Sequence, residues 1–393
     1  MSASRSAFPW RDFSVSSVVA GLVSVFTGYA SAAVIVFQAA AAAGATPSQV
    51  SSWMWALGIG MGVSTLLLSW RFRMPIVTAW STPGAALLAT SLPGVSLNEA
   101  VGAFLFSALL MTLCGVTGLF QRVMHRIPLS LASALLAGVL LRFGLDLFTS
   151  LEQELLLVSA MLITFVLCKS RLPRSAIPLT LLVGLVVAAL QQQLHFGGVS
   201  VALGKPEWVA PAWSWATLVG VGLPLFVVTM ASQNLPGVAV LKANGYQPPV
   251  SPLLTTTGTT NLLLAPFGAY ALNLAAISAA VCMSADADAD PRRRYTAALS
   301  AGVFYLLMGI FGATVSGLLG AFPPALVAAM AGLALAGTLA NGLVMALQDS
   351  SHRDAALLTF LMTASGISLW GIGSAFWGLL LGVLVLLCQR RSA

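Results

Sequence analysis

The chain is 393 residues long, 58% of them hydrophobic and only 7% charged, with a formal net charge of +7. Soluble domains carry roughly 25% charged residues, so lipid must be the solvent for most of this chain. In such a chain a basic balance points to cytoplasmic loops rather than to nucleic acid. No stretch is left over for a soluble catalytic domain.

Apolar segments follow one another at about residues 15–43, 47–69, 76–91, 97–121, 129–148, 153–168, 175–194, 215–232, 250–265, 268–284, 296–320, 323–346, 354–370 and 373–389, fourteen in all. The first is longer than a signal-peptide core and follows a short, polar, basic stretch, so it is expected to be a span and not a cleaved leader. With the N-terminus in the cytoplasm and every segment crossing, only Arg142 and Lys205 of the 18 Lys and Arg fall on the outer side. One miscounted crossing would scramble that alternation downstream. The bias therefore predicts an all-α polytopic membrane protein with fourteen crossings and both termini cytoplasmic. No acidic residue sits in the middle of a span.

The first segment carries Gly28-Tyr29-Ala30-Ser31 and Gln38, which bring hydrogen-bonding groups into a stretch otherwise suited to close packing. In the second, Gly58-Ile59-Gly60-Met61-Gly62 lies inside an apolar span and predicts tight helix packing, not a dinucleotide loop. The third, Met74 to Leu88, begins β-branched and extended. Thr82-Pro83 then looks like a helix start, with Thr82 as N-cap and Pro83 at the first helical position, and the helix is only about half a bilayer long. In the fifth, Arg142 precedes Asp146 by one turn, which predicts an i,i+4 ion pair or interfacial snorkelling. The eighth ends in Gln233-Asn234, adjacent amides in an apolar span, with Pro236 interrupting the helix behind them. Substrate binding and helix–helix hydrogen bonding both account for such amides. The tenth, Pro266 to Ala280, repeats the plan of the third, with Asn273 as the capping residue before a half-helix of small residues. Asp286, Asp288 and Asp290 open like a calcium loop, but Pro291 and Ala297 stand where Gly and Glu are required. The four cysteines are too widely spaced for a zinc site, and HExxH, GxSxG and GxxxxGK[ST] motifs do not occur, so neither an enzyme, a bound metal or cofactor, nor ATP-driven pumping is expected.

The interrupted segments are the third of the first seven and the third of the last seven. An odd number of spans per repeat inverts the second repeat, and matched interruptions mark a transporter's binding site. Extended backbone at membrane depth belongs where it is buried in protein or lines a cavity. Two half-helix N-termini meeting near the midplane would favour an anion, above all a carboxylate.

The stretches Gly28 to Ser31, Thr78 to Gly84, Val228 to Asn234, Pro266 to Tyr270 and Gly371 to Gly378 resemble the BenE family of benzoate:proton symporters, and they run from the first span to the last. That family is similar in fold to uracil permease and the nucleobase–ascorbate transporters. The resemblance implies two inverted repeats of seven segments and a homodimer. It implies a core domain from 15–126 (segments 1–4) and 215–320 (segments 8–11). A gate domain would come from 127–195 (segments 5–7) and 321–391 (segments 12–14). The substrate would sit between segments 3 and 10, with elevator-like movement of core against gate. The uracil branch is expected to carry carboxylates on segments 8 and 10, where this chain offers Gln233, Asn234, Leu272 and Asn273. That departure suits an anionic substrate and leaves the proton without a protein carrier, unless a carboxylic acid enters with its own proton. The expectation is a secondary transporter that imports a benzoate-like aromatic carboxylate across a bacterial inner membrane, with a proton as coupling ion. Its candidate site is Tyr29, Ser31, Trp80, Ser81, Thr82, Gln233, Asn234, Tyr270 and Asn273. Backbone amides after Thr82 and Asn273 would hold the carboxylate, with Trp80 and Tyr270 against the ring. A carrier of nucleobases or other small anions, and a passive channel, remain as alternatives.

Overall fold

The computed structural model describes residues 12–119, 128–172, 176–195, 200–370 and 372–392. The side chains of Ser31 and of residues 390–392, residue 371, and the expected domain boundary at 126/127 lie outside the described residues. The first half of the chain runs α1 (Val15–Ala42), α2 (Pro47–Phe72), β1 (Thr78–Trp80), α3 (Thr82–Ser91), α4 (Leu97–Val116), α5 (Leu129–Gln153), α6 (Leu155–Arg171) and α7 (Ala176–Leu190). The second runs α8 (Trp215–Ala243), α9 (Val250–Leu264), β2 (Leu272–Leu274), α10 (Ile277–Met283), α11 (Tyr295–Ile310), α12 (Gly312–Gly320), α13 (Pro324–Leu347), α14 (Arg353–Ala364) and α15 (Ser374–Ser392).

Each apolar stretch of the sequence holds a helix, and the two interrupted stretches each hold a short strand as well. Among the described residues, five helices are long and apolar enough to cross a membrane alone, and up to seven spans result when each bent helix pair counts as one. One such pair is α11 and α12, bent by 69° at Phe311. Helix starts follow local chemistry. Ser14 with Ser17, Thr46 with Gln49, and Ser96 with Glu99 form capping boxes that satisfy first-turn N–H groups of α1, α2 and α4.

The eighth segment differs from its expected form. Pro236 does not interrupt it, and the helix continues to Ala243 through two π-helical turns, Leu218–Gly222 and Met230–Asn234. Proline has no N–H and crowds the carbonyl one turn back. A wider turn immediately before it absorbs the missing bond without ending the helix, and such turns gather at functional sites. Arg142 and Asp146 are both exposed and form no ion pair with each other.

The glycine run of α2 serves packing as expected. A Cβ on Gly58 would fall 2.4 Å from Gly309 Cα, so α2 and α11 meet backbone to backbone. Without a hydrophobic drive between helices in lipid, such close approach supplies van der Waals contact instead. The most extensive pairings are α2 with α11, α4 with α9, α1 with α11, α5 with α13 and with α14, α14 with α15, and α6 with α7. The outer surface is apolar, with Phe26, Leu155, Leu190 and Val344 well exposed. In water such a surface would aggregate, and in a bilayer it meets acyl chains.

Candidate functional site

The two three-residue strands of the interrupted segments lie side by side in the interior of the fold. β1 and β2 pair antiparallel with Thr78 opposite Leu274, Ala79 opposite Asn273 and Trp80 opposite Leu272. The ladder extends at both ends, where Ser81 N–H donates to Ala271 O (3.0 Å) and Ala275 N–H donates to Val77 O (2.9 Å). Pairing the two interrupted segments satisfies backbone groups that neither could satisfy alone in a lipid-embedded protein.

β1 is pinned to α2 by hydroxyls. Thr78 Oγ1 lies 2.6 Å from Ser64 Oγ and 2.8 Å from Thr65 Oγ1, and its hydroxyl also reaches Met61 O at 3.0 Å. Trp80 N–H donates to Met61 Sδ at 3.2 Å. Ser64, Thr65 and Met61 were not among the residues expected here. The polar pair Ser64-Thr65 inside an apolar span is the sequence signal that marks them.

The helix that follows β1 is capped one residue earlier than expected. Ser81, not Thr82, is the N-cap of α3, and its Oγ accepts from Gly84 N–H at 2.9 Å. Ser81 has the extended conformation that an N-cap needs (φ −80°, ψ 104°), because it is also the last residue of the strand ladder. This corrects the expected carboxylate cradle. Ala85 N–H donates to Ser81 O, Pro83 has no N–H, and Gly84 N–H is taken by the cap. Thr82 N–H is left as the one first-turn donor without an assigned acceptor among the described residues, and Thr82 itself is half-buried.

Asn273 is not a cap either. It sits in the middle of β2, and α10 begins four residues later after Ala276, with no side-chain cap. Its side chain turns instead to α8. Asn234 Nδ2 donates to Asn273 Oδ1 at 2.8 Å, and Asn234 Oδ1 accepts from Leu274 N–H at 3.1 Å. The other contacts of Asn234 Nδ2 are the sulfurs of Met230 (3.3 Å) and Met111 (3.6 Å). Asn234 is 0% exposed and Asn273 1%, and Asn273 Nδ2 has no hydrogen-bond partner. Gln233, its neighbour on α8, is half-buried and makes no side-chain hydrogen bond among the described residues.

Tyr29 of α1 packs edge-on against Trp80, with ring centroids 4.6 Å apart, and lies beside Tyr305 at 6.3 Å. The Tyr29 hydroxyl is buried without a partner. Tyr270 is placed differently from its expected role against a ligand ring. It is fully buried, stacked obliquely near Trp53 and edge-on to Phe104, and its hydroxyl donates to Ser81 O at 3.0 Å. That contact ties the start of β2 to the N-cap of α3. The structure thus brings Tyr29, Trp80, Ser81, Asn234, Tyr270 and Asn273 to the two strands or their immediate neighbours, with Gln233 next to Asn234 in the chain. Two surface cavities, of about 280 and 430 Å³, lie away from this centre, one lined by Pro128, Ser130 and His352, the other by Gly115 and Thr255.

Residues 11–388 match the family model described as benzoate membrane transport protein, BenE. The chain belongs to the BenE family. A benzoate membrane transport protein of Acinetobacter baylyi is 38% identical over 374 residues, covering 95% of each chain. The inner membrane protein YdcO of Escherichia coli is 49% identical over 366 residues, covering 93% of this chain and 94% of its own. Homologues of this BenE-family chain are thus membrane transport proteins and not enzymes. Among solved structures, the transmembrane domain of the cyanobacterial bicarbonate transporter BicA superposes with a TM-score of 0.59 at 15% identity, covering 96% of this chain and 97% of that one. SLC26A9 superposes with a TM-score of 0.64 at 14% identity, covering 98% of this chain and 66% of that one. At such identities the likeness concerns the fold alone.

Proposed function

We propose that this chain is a secondary transporter that carries a benzoate-like aromatic carboxylate across a bacterial inner membrane into the cytoplasm, together with a proton. The observation that carries this is the antiparallel strand pair with a buried, unpartnered amide donor at its centre, in a chain of the benzoate transport family. A buried polar group without a partner costs about 1–3 kcal/mol. A ligand that accepts from it recovers that cost, and a carboxylate oxygen is the strongest acceptor on offer. The carboxylate would bind Asn273 Nδ2, with Gln233 and Thr82 N–H as further donors. Tyr29 and Trp80 would offer aromatic surface to the ring. Ser81, Asn234 and Tyr270 would hold that arrangement, and Ser31 belongs to the same segment as Tyr29.

The fourteen segments would form two inverted repeats with both termini cytoplasmic. The extensive pairings of α2 with α11 and α4 with α9, and separately of α5 with α13 and α6 with α7, support a core domain (15–126 and 215–320) that moves against a gate domain (127–195 and 321–391). The proton would join the bound carboxylate during transit, leaving the carbonyl oxygen of the acid to accept from Asn273 Nδ2. Uptake of labelled benzoate into proteoliposomes, with internal pH recorded, tests this. Saturable accumulation with internal acidification is expected. Nucleobase uptake in place of benzoate overturns the substrate, non-saturable downhill flux points to a channel, and accumulation without proton movement removes the coupling.

A further inference from the structure

We infer that Asn234 is a positioning residue: it sets which end of the Asn273 amide faces the binding site, and thereby makes the site accept anions. The inference rests on the carboxylate reading above and adds the device that produces it.

The polarity follows from one group that cannot reverse. Leu274 N–H is a backbone donor, so the Asn234 atom that meets it at 3.1 Å must be the carbonyl oxygen. The amide nitrogen of Asn234 is then on the opposite side, against Asn273 at 2.8 Å. A nitrogen that only donates requires an acceptor there, so Asn273 must present its oxygen inward. The Asn273 NH2 is left turned away from Asn234, buried and without an acceptor. The surroundings of Asn234 agree with this orientation. Its nitrogen rests against the sulfurs of Met230 and Met111, both buried, which are weak acceptors and supply no competing donor. The π-helical turn Met230–Asn234 carries the Asn234 side chain into this position from α8. A backbone N–H in β2 thus fixes, through two side chains, a donor and not an acceptor at the middle of the strand pair. Asn234 is therefore not itself a ligand for the substrate: all its polar atoms are used.

The relay predicts a reversal. In Asn234→Asp the ionised side chain still accepts from Leu274 N–H but can only accept from Asn273, whose amide must turn over and present its oxygen to the site. In Asn234→Leu, similar in size but without polarity, the Asn273 amide is free to turn either way. The test uses purified full-length protein in detergent, with benzoate and its neutral analogue benzamide as matched probes. The unsubstituted protein is expected to favour benzoate. N234D is expected to lose benzoate and to bind benzamide at least about tenfold better than the unsubstituted protein, the size of one hydrogen bond in a buried site. N234L should bring the two probes close to parity. Repulsion by the new carboxylate accounts for lost benzoate but not for gained benzamide.

A second measurement does not depend on a ligand. Protein labelled with nitrogen-15 asparagine contains six such side chains, and the Asn273 signal is identified by its loss in N273D. In N234D its amide protons should move downfield as they donate to the carboxylate. An unmoved Asn273 signal, or an N234D that binds benzamide no better than before, overturns the relay. Unsubstituted protein that binds neither probe overturns the aromatic-carboxylate reading, and the asparagine signal then decides the relay by itself.

Discussion

The two interrupted segments share a backbone plan and differ in chemistry. Each strand is entered through a left-handed residue, Arg73 at φ 51° and Gly268 at φ 104°. Each strand is three residues long and each is followed by a short helix, α3 of 10 residues and α10 of 7. In the first segment the polar residue serves its own helix: Ser81 stops the ladder and caps α3. In the second no residue caps α10, because Ala276 is already helical (φ −103°, ψ −54°) and has no polar side chain. The polar residue there, Asn273, lies three residues too early to cap and is directed at α8. The shared backbone plan therefore fixes where the strands pair, while the difference in polar residues decides which half offers an unpartnered side-chain donor.

The sharpest way to break the contrast is to remove that donor. Asn273→Ala is expected to abolish saturable uptake while the protein stays folded, since one hydrogen bond to a charged group is worth about 1.5–3 kcal/mol. Uptake in proteoliposomes beside a thermal melt checks both halves of that statement, and unchanged affinity would place the site elsewhere. Gly268→Ala attacks the entrance to the same segment. A Cβ there would lie 1.9 Å from Trp53 Cδ1 at a positive φ, so a stability loss of roughly 2–5 kcal/mol is expected. A variant with an unchanged melting temperature in detergent would contradict that backbone conformation. Ser81→Ala acts on the other half. It removes the α3 cap and should cost about 1 kcal/mol of stability, with the acid-over-amide preference intact because Asn273 is untouched. Loss of that preference would show that the halves are not separable. The smallest effect is expected from Ala276→Ser, an attempt to make the second half resemble the first. A capping residue needs extended dihedrals, and Ala276 is helical, so the gain should stay below about 0.5 kcal/mol. A larger gain in the thermal melt would mean that α10 can be capped after all.

Much of the fold was legible in the residue order. The apolar stretches mark the helices, Thr46-Pro47 and Ser96 to Glu99 mark helix starts, and Pro-Gly punctuation locates the interrupted segments. These signals are local: they depend on hydropathy over a span, or on a cap within four residues. The family was legible too, from short stretches spread along the chain. The candidate site was legible only as a set of residues. Thr82 and Ser81 are equally good caps by composition, and the strand ladder chose Ser81 by holding it extended. Pro236 reads as a break until the π-helical turn before it is seen.

Composition alone placed this chain in lipid, because no soluble fold can bury that much apolar side chain, and the order of its polar breaks located two special segments. The roles inside those segments were decided by the tertiary structure. Asn273 reads as a helix cap in sequence and becomes a strand residue with an unpartnered amide donor in space. The reason is physical: an amide side chain can present either end, and only a partner fixed from elsewhere in the chain, here Leu274 N–H acting through Asn234, selects one.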